Sequence, residues 1–143
     1  SVAESCTGGA IASRFTAMPG ASAYFKGGAV AYWNQTKSLL LNVSADTIAR
    51  YGVVSEQVVR QMAEGARRAA DTHYALATTG MAGPSGGTPE IPVGTVWIAV
   101  SSPERTLTRL VHIKGNRNRV IREAGSAAIE LLEEELTAGN RTK

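Results

Sequence analysis

Residues 3–15 read AESCTGGAIASRF, and the change of periodicity inside them decides the fold. Up to Ser5 the chain has the short, apolar character of a strand, "SVAES". After Gly9, "AIASRFTAM" repeats its apolar positions at helical spacing, and Pro19 and Gly20 stop it. Between the two lie Ser5, Cys6 and Thr7, followed by Gly8 and Gly9, a turn of hydroxyls, one thiol and flexible backbone. The next stretch, "GGAVAYW", is apolar and aromatic and reads as a second strand. Strand, short helix and strand in that order predict a parallel pair joined by a right-handed crossover.

The rest of the chain extends the pattern. Asn34 is placed to cap a short helix, "QTKSLLL", and Ser44 to cap another, "ADTIARY". Val43 and Ile48 stand where a hydrophobic staple would put them, and Gly52 ends that helix. Ser55 opens a longer helix whose apolar face is Val58, Val59, Met62, Ala63, Ala66 and Ala70. "YALATT" is a third strand running into a loop dense in glycine and proline, residues 80–94. "TVWIAV" and "RTLTRLVHI", joined by the turn "SSPE", are a fourth and a fifth strand, antiparallel to each other. Asn116 can cap a last helix with Val120, Ile121, Ala124, Ala128, Leu131 and Leu132 on its apolar face. The expected class is α/β: a three-layer α/β/α sandwich around a mixed five-stranded sheet. One domain spans residues 1–136, and "TAGNRTK", residues 137–143, reads as a flexible tail.

Bulk properties narrow the functions. A chain of 143 residues with 43% hydrophobic residues builds one core without staples, so disorder is not the default. No apolar run approaches the roughly 20 residues that cross a bilayer, and no signal-peptide pattern opens the chain. The one cysteine, Cys6, forms no internal disulfide and points to a reducing, cytoplasmic compartment. A net charge of +3 without a dense basic stripe argues against nucleic acid as the partner. His73 and His112 have no metal-ligand spacing with each other or with Cys6, so no metal is expected.

If the first three strands run parallel, their C-terminal ends share one edge, where open α/β sheets bind ligands. The segments 5–9, 32–37 and 79–88 then converge. The Ser5 turn is open to three readings at this point: a structural corner, an anion site at a helix start, or a nucleophile. Lys37 falls in the first turn of its helix, where a cation meets the unfavourable end of the dipole, and burial would lower its pKa further. A neutral lysine can take the proton of a serine, as in Ser/Lys hydrolases. Tyr32, at a strand end, can hydrogen-bond either partner. Thr79 and Gly80 begin the third loop, and Arg117 opens the last helix within reach of a phosphate. Cys6 at a helix start has the placement of a reactive thiol, but no histidine lies near it in sequence.

The segments "AESCTGG", "YWNQTK", "GVVSEQV", "TTGMAGPSGG", "PVGTVWIA" and "GNR" occur here in the order seen in the C-terminal domain of CinA-type proteins, which the chain resembles over essentially its whole length. Family members of this type act as nicotinamide-nucleotide amidohydrolases. The resemblance therefore implies hydrolysis of nicotinamide mononucleotide to nicotinic acid mononucleotide and ammonia through a Ser/Lys acyl-enzyme. The family's serine, tyrosine and lysine map onto Ser5, Tyr32 and Lys37. Cys6, Thr7, Gly8 and Gly9, with Thr79 and Gly80, then surround the oxyanion, while Arg117 or the glycine loops meet the phosphate. No cofactor is implied. The ligand is a small pyridine nucleotide, no membrane is involved, and edge strands leave room for a homo-oligomer. The family usually places a helix before the first strand, whereas this chain opens at Ser1. It has Ile91 where a lysine is frequent and Asn116 where an aspartate is frequent. The alternative is a nucleotide- or phosphate-binding module without catalysis. An RNA-binding domain stands behind both.

Overall fold

The computed structural model describes residues 1–141. Five strands, β1 (Val2–Glu4), β2 (Gly28–Val30), β3 (Ala75–Gly80), β4 (Thr95–Ser101) and β5 (Thr106–His112), form one sheet in the order β2-β1-β3-β4-β5. β1 pairs in parallel with both β2 and β3, and β4 runs antiparallel to β3 and to β5. The helices are α1 (Ala10–Thr16), α2 (Asn34–Leu41), α3 (Ala45–Tyr51), α4 (Glu56–Ala70) and α5 (Arg117–Arg141). The mixed five-stranded sheet and its α/β class are those expected from the sequence.

The period of two along the strands sends alternate side chains to two separate cores. Val2, Leu76, Ile98 and Val100 pack with Ile11 of α1 and with Val120, Ala124, Ala128 and Leu131 of α5. Ala3, Ala77 and Ala99 face the other way and meet Val58, Val59, Met62 and Ala66 of α4, with Leu41 at the end of α2. Helices therefore cover both faces, giving three layers. The second core is rich in alanine, so α4 lies close against the sheet. α4 also runs close to α2: a Cβ on Gly65 would collide with the Leu41 carbonyl.

Local chemistry sets the ends. Ser44 Oγ accepts the Thr47 N–H and Ser55 Oγ accepts the Val58 N–H, so both serines cap the helices the sequence assigned to them. Asn116 Oδ1 accepts the Arg119 N–H at the start of α5. Asn34 is different. It is the first helical residue of α2, the cap position is Trp33, and no side chain caps the helix there. β2 is shorter than the apolar run "GGAVAYW" suggests and ends at Val30. Beyond it, the carbonyls of Ala31 and Tyr32 are taken by Lys37 Nζ.

The expected tail is also different, because α5 continues to Arg141. Glu134 binds Arg109 and Glu135 binds Arg105, which ties the far half of α5 to the β4–β5 hairpin. Positions 142 and 143 of that expected tail lie outside the described residues. Among the described residues, no helix is long and apolar enough to cross a membrane.

Gly65→Ala gains about 1 kcal/mol of helix propensity. It also pushes a methyl into a backbone carbonyl that cannot rotate away. Overpacking of this kind costs about 1–3 kcal/mol, so the expected outcome is net destabilisation, read as a lower urea midpoint at unchanged m-value.

Candidate active site

The parallel half of the sheet brings the C-terminal ends of β1, β2 and β3 to one edge, and the chain leaves each of them into the same cleft. Ser5 follows β1 and is 8% exposed. Its N–H is held by the Thr78 carbonyl of β3 at 3.1 Å, so the turn starts from a fixed point. The turn then needs positive φ at Gly8 (60°) and Gly9 (106°) before α1 begins. Side chains with a Cβ rarely adopt these angles, which explains the double glycine.

Lys37 lies one turn into α2 and is 1% exposed. Its Nζ is 3.0 Å from Ser5 Oγ, 2.8 Å from the Ala31 carbonyl and 3.1 Å from the Tyr32 carbonyl. As a neutral amine it donates two hydrogens to the two carbonyls, and its lone pair is left for the Ser5 hydroxyl proton. As an ammonium it donates to all three oxygens. The proton can pass between Ser5 and Lys37 without any heavy atom moving. Burial holds Lys37 below the ordinary lysine range, and only a weaker pull from the neighbouring Cys6 opposes it.

Cys6 sits beside this pair but has different chemistry. Burial pushes its thiol up to about 11, with hydrogen bonding to Thr78 and to its own backbone offsetting part of the effect. At neutral pH the sulfur keeps its proton, and the Lys37 amine is hydrogen-bonded to Ser5 Oγ, so the serine is favoured over the thiol as nucleophile.

Around the pair is a cavity of about 270 Å³, lined by Ser5, Lys37, Tyr32, Thr79 and Arg117, with Cys6 and Gly80 also on its wall. Thr7, Gly8 and Gly9 do not line it. Thr7 Oγ1 is 2.8 Å from Thr78 Oγ1, and the Gly8 N–H returns to the Ser5 carbonyl, so both brace the turn from behind. Thr79 Oγ1 donates to the Val53 carbonyl, which fixes the loop before α4 against the cleft. Tyr32 is 53% exposed. Its hydroxyl is 2.9 Å from Arg117 Nη2, while its backbone carbonyl, not its phenol, touches Lys37. Arg117 Nη1 donates to the Gly83 carbonyl at 2.7 Å. Arg117 thus joins the second and third loops at the mouth of the cavity through neutral acceptors.

Sequence reasoning did not single out Glu4, Asn34 or Ala82 for the site. Asn34, Ala82 and Gly83 line the cavity. Glu4 lies behind the nucleophile, and its carboxylate accepts the Ile11 N–H at 2.9 Å and the Ala12 N–H at 3.0 Å. The amides that start α1 therefore already hold an anion, one supplied by the protein. A carboxylate ending a strand before a glycine that cannot cap was the signal for this. A larger, mostly apolar cavity of about 610 Å³ lies beside Ser1, Phe15, Tyr24 and Leu132, and neither Ser5 nor Lys37 is on its wall. Among the described residues, no three His, Cys, Asp or Glu side chains gather as metal ligands.

Comparison with known proteins agrees with this architecture. The family model of the CinA C-terminal domain matches residues 1–136, and the chain belongs to that family. A CinA-like protein of Anaeromyxobacter dehalogenans is 52% identical over 129 residues, covering 90% of this chain and 32% of that protein. One from Myxococcus xanthus is 48% identical over 142 residues, covering 99% of this chain and 34% of that protein. The chain thus spans about a third of the length of these relatives. Among solved structures, the competence damage-inducible protein A of Klebsiella pneumoniae superposes with a TM-score of 0.91 at 35% identity, covering 95% of this chain and 84% of that one. A competence/damage inducible protein of Agrobacterium tumefaciens gives 0.90 at 37% identity, covering 93% and 82%.

The state of Lys37 has a consequence for stability that needs no substrate. The folded pKa lies below the unfolded one, so between the two the unfolded chain binds more protons. Stability therefore rises with pH through that window and is complete above the ordinary lysine value of about 10.4. The stability difference between wild type and Lys37→Met, measured by urea unfolding from neutral to alkaline pH, should move in favour of wild type as pH rises. A difference that is flat with pH contradicts the assignment.

Proposed function

We propose that this domain is a serine-type amidohydrolase that converts nicotinamide mononucleotide to nicotinic acid mononucleotide and ammonia. The observation that carries the chemistry is the 3.0 Å contact between Ser5 Oγ and a buried Lys37 Nζ in the wall of a cavity. The substrate comes from the resemblance of the motifs around that pair to those of the family's amidohydrolases.

Ser5 Oγ attacks the amide carbon as its proton passes to Lys37 Nζ. The tetrahedral oxyanion collapses, the C–N bond breaks, and the Lys37 ammonium gives its proton to the departing amine, which leaves as ammonia. Water then attacks the ester, gives a proton to Lys37, and the proton returns to Ser5 as the C–O bond breaks. For the oxyanion, the N–H of Cys6 is the donor nearest the nucleophile in sequence that lines the cavity and has no backbone acceptor among the described residues. The N–H groups of Ala82 and Gly83 are the further donors in this proposal, because the Met81 N–H is taken by the Thr95 carbonyl. With the start of α1 occupied by Glu4, the substrate phosphate goes to Arg117, whose partners at the cavity mouth are neutral. Tyr32 then orients that guanidinium instead of relaying the serine proton. No cofactor enters the scheme. A single thiol and a nucleotide substrate fit a cytoplasmic setting.

One observation favours a second reading. The ammonium form of Lys37 also has three satisfied acceptors, as in a binding module that never turns over. The pH dependence separates the two. An amidohydrolase working through neutral Lys37 shows kcat/KM rising with pH to a plateau, with its midpoint below the ordinary lysine range. A module shows ligand-dependent thermal stabilisation and no ammonia.

Ser5→Ala should lower ammonia release by at least about a thousandfold with the fold intact, and Lys37→Met should lower kcat with KM retained. Cys6→Ala should keep turnover. Persistent activity in Ser5→Ala, or its loss only in Cys6→Ala, would reject the serine assignment. Arg117→Met should raise KM for the mononucleotide and leave KM for nicotinamide riboside, which lacks the phosphate, nearly unchanged. Equal effects on both substrates would place the phosphate elsewhere.

A further inference from the structure

We propose that Glu4 is the positioning residue for the Ser5 nucleophile, holding the turn between β1 and α1 through two backbone N–H groups. The proposal rests on the amidohydrolase reading above. Successive residues of a strand point to opposite faces, so Ser5 and Glu4 emerge on opposite sides of the sheet edge. Ser5 meets Lys37 on the α2 side. Glu4, 0% exposed, meets α1.

Its two carboxylate oxygens take one N–H each, Ile11 on Oε1 at 2.9 Å and Ala12 on Oε2 at 3.0 Å. These are the second and third helical residues, whose N–H groups a helix normally satisfies from its own cap. α1 has no side chain of its own to do so, because its cap is Gly9 at φ 106°. The backbone that the turn requires there excludes the usual capping residues, and the cap is delegated to the strand.

The same residue also reaches the base. The Glu4 carbonyl accepts the Ala31 N–H at 2.8 Å, and the Ala31 carbonyl accepts from Lys37 Nζ at 2.8 Å. Glu4 therefore fixes the far end of the nucleophile turn with its side chain and the segment carrying the lysine's acceptor with its backbone. It does not line the cavity. Burying a carboxylate without a cation is costly unless every lone pair in need finds a donor. Here both donors belong to the element that closes the turn. Loss of the carboxylate frees α1 to shift relative to β1, and Ser5 Oγ moves with the turn between them.

The experiment compares wild type and Glu4→Gln in the full chain. Glutamine keeps the volume and one acceptor, but its NH₂ group faces the second N–H, donor against donor. A misplacement on the order of 1 Å costs about a hundredfold in rate, so kcat for ammonia release should fall by about tenfold to a hundredfold with KM within about twofold. Labelling by a fluorophosphonate, in which Ser5 Oγ bonds phosphorus, fluoride leaves and the serine proton passes to Lys37, should slow in proportion. A lower Tm with unchanged kcat and labelling would mean that Glu4 only stabilises α1, and would overturn the proposal. If Glu4→Gln does not fold, Glu4→Asp keeps the charge but withdraws the carboxylate from the Ile11 and Ala12 N–H groups by one methylene, and the same split is expected. Unchanged kcat and labelling in that variant would overturn it equally. Wild type that labels at Ser5 but releases no ammonia would sink the amidohydrolase reading alone, and the labelling rates would still decide the role of Glu4.

Discussion

One amine out of water organises this domain. Lys37 is almost fully buried, and its Nζ finds three oxygens, two of them backbone carbonyls. A buried ammonium without partners would be prohibitively costly, and a neutral amine still needs acceptors for its hydrogens. The Ala31 and Tyr32 carbonyls serve either state, and by turning inward they end β2 after three residues. The short edge strand, the entry into α2 and the availability of the Ser5 proton are thus parts of one arrangement.

The sheet makes that arrangement reproducible. Parallel pairing of β1 with β2 and with β3 brings three strand ends to one level, so residues from distant parts of the chain need little further adjustment to meet. The two cores do different work. The larger side chains under α1 and α5 support the helix that Glu4 caps. The alanine-rich face under α4 keeps α2, and with it Lys37, close to the sheet. Arg117 closes the ring by joining Tyr32 to Gly83 across the cavity mouth. Each loop at the cleft is held by a bond to another loop or strand, a setting in which a nucleophile and a base keep their distance.

Much of this could be read from the chain, and what could not has a physical reason. The apolar face of α4, the serine caps at Ser44 and Ser55, and the antiparallel β4–β5 pair follow from local patterns that tertiary contacts leave intact. The convergence of three loops followed from strand direction alone. Asn34 was misleading because a capping residue type says nothing about whether the helix starts at it or before it. Here Trp33 is the cap, and Lys37 N–H makes the bond to the Trp33 carbonyl. The end of α5 was hidden because the polar run from Thr137 to Arg141 carries no apolar face of its own and continues a helix whose preceding turn, at Glu134 and Glu135, is paired with Arg109 and Arg105, far away in sequence. The Ser5 turn was legible as a place for an anion. That the anion is Glu4, one residue before the nucleophile, depends on side-chain direction at a strand end. Tyr32 was legible as a site residue, but its phenol goes to Arg117 and only its carbonyl goes to the lysine, a division that no residue pattern encodes.

The account stands on an uncharged Lys37 beside the serine hydroxyl. Carbon-13 labelling of the lysine side chains, with the Lys37 Cε resonance assigned by comparison with Lys37→Met, reports its protonation directly during an NMR pH titration. The account predicts that Lys37 titrates below the ordinary lysine range and that Ser5→Ala leaves it there. A Lys37 resonance that keeps the ammonium shift until the ordinary lysine range would contradict it.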